Sequence, residues 1–232
     1  VLTKLVLFDI DGTLIWTAGA GRSAIGQALL AEMGATGPID GHRFEGKTDP
    51  QIVMELMRLA RHPHAESEEH VAAVCSRYLE LLAIELEERR REIRLYPGVA
   101  RLLDSLDDRD DALVGLLTGN LERGASLKLG AAGIDVTRFR VGAFGSDSAH
   151  RSELPRIAAE RAAPLMGRVP QGEEIVIIGD TPSDITCGNG VGARAIGVAT
   201  GWHTAEELRA AGAYTVFDNF TDPDPVLDAI YA

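Results

Sequence analysis

The chain has 232 residues, 45% hydrophobic and 25% charged, which is ordinary for a soluble globular protein and long enough for a large core with a smaller companion. Its formal net charge of -12 argues against a nucleic-acid backbone as partner, so an anionic ligand would need a local positive site. No apolar stretch is long enough for a membrane, no signal peptide is expected where the early apolar run ends so soon at Asp9, and Cys75 and Cys187 lack metal-ligand spacing and read as buried free thiols of a reducing cytoplasm.

The first apolar run, Leu5-Val6-Leu7-Phe8, reads as a strand buried on both faces, as in a parallel sheet. It ends in Asp9-Ile10-Asp11-Gly12-Thr13, two carboxylates two residues apart before a glycine turn. Burying like charges so close is costly unless a cation or shared proton compensates. From about Ala18 to Ile93 no strand is expected. Ile52, Val53, Leu56 and Leu59 recur at helical spacing, as do Val71, Val74, Tyr78, Leu81 and Leu82, and the charged stretch Glu85 to Arg94 reads as a solvated helix end. Tyr96-Pro97-Gly98 marks the return to the core.

Beyond that turn, strands and helices alternate. Apolar runs at 112–117, 139–144, 175–178 and 194–198 read as strands, with a weaker one at 214–216. Helical patterns fall at 99–106, 121–132, 153–162 and 205–211. The expected fold is a doubly wound, Rossmann-like parallel α/β sheet made of residues 1–15 and 96–232, split by an all-helical domain at 16–95. An insertion at that point overhangs the carboxyl edge of the sheet, where it can act as a lid.

Polar clusters follow the strands: Asp9 and Asp11, then Thr118-Gly119-Asn120, then Ser146-Asp147 with Arg151, then Gly179-Asp180-Thr181-Pro182-Ser183-Asp184. Parallel strands bring all of these to one edge. Carboxylates, a hydroxyl, an amide and a guanidinium gathered in one crevice suit metal-assisted phosphoryl transfer.

In this order the clusters resemble the signature of the haloacid dehalogenase superfamily, on its phosphatase side. The helical insertion resembles that family's first-type cap. Phe44-Glu45-Gly46-Lys47-Thr48-Asp49-Pro50 and the stretch from Gly201 to Gly212 resemble the phosphoglycolate-phosphatase-like group.

The resemblance implies Asp9 as nucleophile of an aspartyl-phosphate, with Asp11 as the acid that protonates the leaving oxygen and then the base that activates water. It implies Mg²⁺, a hard cation suited to oxygen ligands, held by Asp9, Asp180 and the Asp11 main-chain carbonyl, with Asp184 as a ligand or a supporting partner. Thr118, Gly119 and Asn120 would bind phosphate. Arg151 stands where the family usually has a lysine, and its planar fork can serve both nucleophile and phosphate. Lys128, the other lysine after the second cluster, sits mid-helix in a less suitable place. Lys47 and Arg22 are candidates to meet the far end of the substrate, against the plain alternative of solvated cap side chains.

The expected partner is a small phosphorylated metabolite, phosphoglycolate first among them, acted on by a monomer or homodimer. A phosphotransferase such as a sugar phosphomutase would keep the same clusters. A dehalogenase would lack Asp11, because a departing halide needs no proton.

Overall fold

A computed structural model describes residues 1–232. Its main sheet has six parallel strands: β1 (Lys4–Phe8), β4 (Ala112–Leu117), β5 (Val141–Ala143), β6 (Ile175–Gly179), β7 (Arg194–Val198) and β8 (Thr215–Phe217). They run in the order β5-β4-β1-β6-β7-β8, so β1 is central, between β4 and β6. Side chains alternate across β1. Val6 and Phe8 join a 25-residue apolar cluster on one face, while Leu5 and Leu7 join a 13-residue cluster on the other. The first cluster includes α4 (Val99–Asp107), α5 (Glu122–Ala131) and α9 (Asp224–Tyr231); the second includes α6 (Leu154–Met166). Two short helices, α7 (Pro182–Cys187) and α8 (Ala205–Ala210), complete the core. The doubly wound α/β architecture expected from the alternating pattern is what the chain forms.

Between β1 and α4 the chain leaves the sheet. A small antiparallel ribbon, β2 (Ile15–Trp16) with β3 (Arg94–Leu95), pairs the outgoing and returning segments. Beyond it lie α1 (Ala20–Met33), α2 (Asp49–Leu59) and α3 (Glu68–Glu88). Ile52, Val53 and Leu56 of α2 and Val71, Val74, Tyr78 and Leu82 of α3 pack with Ala24, Ile25 and Leu29 of α1 in their own apolar cluster. Leu121, which follows β4, also enters this cluster and ties it to the sheet edge. Thr48 caps α2 by accepting from Gln51 N at 3.2 Å, with Pro50 in the first turn, where no donor is missed.

Several details differ from expectation. The third strand of the core is only Val141–Ala143, because the flanking Phe139 and Phe144 pack into the core without extending the ladder. Leu59 ends α2 and is exposed. Glu85 is buried: it accepts from Gln27 Nε2 at 2.5 Å and pairs with Arg89 at 2.7 Å, joining α3 to α1. Cys187 is buried, but Cys75 is only partly so, lying on the flank of α3.

Candidate active site

The carboxyl ends of β1, β4 and β6 line one cavity of about 420 Å³, closed on the other side by the helical insertion. Asp9, Asp11, Thr118, Gly119, Asn120, Arg151 and Asp180 all border it. The cavity follows from strand order, since β1 sits where the connections diverge to either side. Gly12 makes the turn at φ +88°, and a Cβ there would come within 2.3 Å of Asp180 Oδ2. Only glycine permits both the turn and this approach.

Asp9, Asp180 and Asp184 are buried, with carboxylate oxygens all within 4.8 Å of one another. Arg151 is the cation that pairs with two of them, Asp9 and Asp184. Its Nη2 lies 3.1 Å from Asp9 Oδ1, donates to Asp184 Oδ1, and approaches Leu117 O at 3.4 Å. Asp184 Oδ2 accepts from Thr181 N at 2.9 Å and Thr181 Oγ1 at 2.7 Å. Asp184 therefore caps α7 and anchors Arg151 together, which leaves it the least free of the three to ligate a metal. Asp180 accepts from Thr13 Oγ1 at 2.9 Å.

Burial raises the Asp9 carboxyl to about 6, helped by the charges of Asp184 and Asp11 and opposed by Arg151. Burial also raises Asp180 well above the ordinary range, reinforced by Asp184 and Asp9. Burial opposes the Arg151 charge, but Asp184 and Asp9 more than offset it and hold the guanidinium protonated. Three buried carboxylates against one guanidinium leave excess negative charge in a dry site, and all-oxygen donors suit a hard divalent cation. The residues present thus fit a metal.

Asp11 points the other way. Its Oδ2 accepts from Asn120 Nδ2 at 2.8 Å and from Lys128 Nζ at 2.6 Å, and Thr17 Oγ1 lies 3.4 Å from Oδ1. Lys128 Nζ also donates to Asn120 Oδ1 at 2.6 Å, which closes a three-residue network. Asn120 Nδ2 donates to Thr118 Oγ1 at 2.8 Å, leaving the threonine hydroxyl hydrogen free.

Lys128 corrects the sequence reading: far from lying in a poor position, it is buried in this cavity against Asp11. Burial opposes its charge, but Asp11 and Asp49 outweigh that and raise its pKa. The available signal was its place on the apolar stripe of α5, four residues after Gly124 and seven after Leu121.

Asp49 and Tyr78 of the insertion also border the cavity and were not foreseen as site residues. Asp49 N donates to Gly119 O at 2.8 Å, and Asp49 Oδ2 accepts from Leu121 N at 2.9 Å. Thr48 Oγ1 donates to Ala149 O at 2.9 Å, so the start of α2 is docked on the loops after β4 and β5. Lys47 and Arg22 border the cavity as well, each already engaged within the insertion. Lys47 Nζ meets Glu55 Oε2 at 2.5 Å and His42 Nε2 at 3.2 Å. Arg22 donates to Ile39 O at 2.5 Å and lies 4.0 Å over the Phe44 ring.

The model of the haloacid dehalogenase-like hydrolases matches residues 6–189. The chain belongs to this family. Among curated relatives of this hydrolase, a phosphoglycolate phosphatase of Pseudomonas fluorescens is 25% identical over 219 residues, covering 94% of this chain and 77% of that one. A phosphoglycolate phosphatase of Rhodospirillum rubrum is 26% identical over 223 residues, covering 94% and 88%. Among solved structures, CbbY from Rhodobacter sphaeroides in complex with phosphate superposes with a TM-score of 0.74 at 22% identity, covering 96% and 97%. A hydrolase from Pseudomonas syringae gives 0.73 at 23% identity, covering 99% of each. These likenesses extend over the sheet and the helical insertion alike.

Proposed function

We propose that this hydrolase is a Mg²⁺-dependent phosphomonoesterase of a small phosphorylated metabolite, with Asp9 as nucleophile and residues 16–95 as a cap domain over the site. The observation that carries the reading is the pairing of Asp9 with Arg151 at 3.1 Å, in one cavity with an Asp11 held independently by Asn120 and Lys128. A nucleophile and a proton donor are thereby kept apart in role and environment.

Asp9 attacks phosphorus, and the bond to the leaving oxygen breaks as Asp11 gives that oxygen its proton. Asp11 then takes a proton from water as the water oxygen attacks phosphorus and the bond to Asp9 breaks, releasing inorganic phosphate and restoring Asp9 as the carboxylate and Asp11 as the protonated acid. Asp11 Oδ1 is the oxygen suited to carry the proton, because two strong donors already occupy Oδ2. Thr118 Oγ1 and Arg151 would bind the phosphoryl oxygens. Asp9, Asp180 and the Asp11 main-chain carbonyl would hold Mg²⁺, which offsets the repulsion between an aspartate and an anionic phosphoryl group.

The names of the curated relatives make phosphoglycolate the first ester to assay. Phosphate release from a panel of phosphomonoesters, with Asp9→Asn as blank, tests the reading. Turnover by wild type that is lost on chelation and in the variant is expected, and turnover that survives in Asp9→Asn overturns it.

A further inference from the structure

The wall of the cavity beyond Asp11 carries polar groups that the phosphoryl chemistry leaves unused. Lys128 Nζ has three donors, of which Asp11 and Asn120 take two. Asp49 is buried; its Oδ2 accepts from Leu121 N, and the Tyr78 hydroxyl stands close enough to favour its ionised form. The Tyr78 hydroxyl is buried at the cavity wall beside Asp49 and makes no well-formed hydrogen bond. A ligand group placed between them could complete the hydrogen bonding of both side chains.

These groups converge on one small space. A Cβ built on Gly21 would stand 3.4 Å from Lys128 Nζ and 3.8 Å from the Tyr78 hydroxyl. The missing side chain of Gly21 leaves room beside both atoms. The charge there is not that of an anion site: Lys128 is the single cation of this wall and stands between Asp11 and Asp49. A carboxylate would meet two like charges. A hydroxyl, with one donor and two acceptor positions, can give its hydrogen to Asp49 and accept from Lys128 or Tyr78. If Asp11 protonates the leaving oxygen as proposed above, a group bound next to it would belong to the carbon adjoining the ester carbon.

We infer that Lys128, Asp49 and Tyr78 form a hydroxyl-binding subsite that selects phosphomonoesters of polyhydroxylated alcohols over phosphorylated carboxylic acids. The inference rests on the phosphatase reading above and refines its substrate class.

The test compares ethyl phosphate, 2-hydroxyethyl phosphate and phosphoglycolate, which share a two-carbon frame and differ only at the adjoining carbon. The kcat/KM for the hydroxylated ester should exceed that for ethyl phosphate by about tenfold, with phosphoglycolate lowest. Tyr78→Phe removes only the hydroxyl beside Asp49, and Gly21→Ala fills the space at ordinary contact distance, so both should fold like wild type. Each should shrink the preference for the hydroxylated ester. Phosphoglycolate as the best of the three, or an undiminished hydroxyl preference in both variants, overturns the subsite. Turnover of p-nitrophenyl phosphate with no discrimination among the three also removes the subsite alone. No phosphate release from any ester, p-nitrophenyl phosphate included, removes the phosphatase reading and the subsite with it.

Discussion

Asp49→Asn offers a direct measure of the electrostatic strain across the junction between insertion and core. Burial pushes the Asp49 carboxyl up to about 6, and the opposing pull of Lys128 and the Leu121 N–H recovers only part of that. A raised carboxyl binds its proton more tightly in the folded state than in the unfolded one. Its contribution to stability is therefore fully present below about pH 3.8 and is lost as pH rises through about 6. The gap of roughly two pH units, at 1.36 kcal/mol each, corresponds to about 3 kcal/mol. Asparagine keeps the acceptor for Leu121 N and cannot ionise. Urea unfolding of both proteins from pH 4 to pH 8 should show the variant gaining about 3 kcal/mol over wild type across that range, then levelling off. Taking the difference between the two proteins cancels the titration of Asp9 and Asp180. A difference independent of pH, or one that moves against the variant as pH rises, would refute the reasoning and mean that Lys128 fully compensates Asp49.

The two buried cations should differ in what they hold. Arg151→Met strands Asp184 and Asp9 in a dry site and should cost about 3–5 kcal/mol in urea unfolding, whereas Lys128→Met should cost less, because the Asp11 side chain is 40% exposed and can take up water. Equal losses would sink that contrast. Stabilisation by Mg²⁺ should grow between pH 5 and pH 8, since the raised carboxyls of Asp9 and Asp180 favour protonation of the apo-protein and the metal requires their ionised forms. An equal shift in melting temperature at both pH values would contradict it.

The sheet was legible because its strands are short apolar runs closed by polar clusters, a pattern that a parallel sheet covered on both faces imposes. The helix α9 was not. It lies beyond the last helical pattern, at 205–211, and it is short: Pro223 stands at its cap and Pro225 in its first turn, where proline fits. The charged segment around Glu85 read as solvated because nothing local shows that Gln27, 58 residues earlier, arrives beside it. The same limit hid the inner wall of the cavity. Tyr78 was legible as a member of the buried face of α3, but where its hydroxyl ends depends on how α3 lies against the sheet edge. Asp49 reads locally as an acidic residue in the first turn of a helix, favourable there on dipole grounds alone. Its role as acceptor for Leu121 N exists only once α2 docks on the loop after β4.

Charge balance explains why Lys128 had to be somewhere near. Asp9, Asp11, Asp180 and Asp184 bring four formal negative charges to the sheet edge, and Arg151 reaches two of them. With Lys128 on Asp11, these six groups sum to two negative charges, and Asp49 on the other side of Lys128 adds a third when ionised, an excess that a divalent cation would largely offset. Without Lys128, the Asp11 charge would stand uncompensated on the side of the cavity next to the insertion. The two cations divide by position: Arg151 pairs with Asp9 and Asp184 at the ends of β1 and β6, and Lys128 pairs with Asp11 at the junction with the insertion. Because Lys128 also touches Asn120, and the neighbouring residues of that loop bind Asp49, the geometry of the acid depends on the insertion being docked. In the proposed mechanism, docking of the insertion and placement of the proton donor are thereby linked through the same few hydrogen bonds.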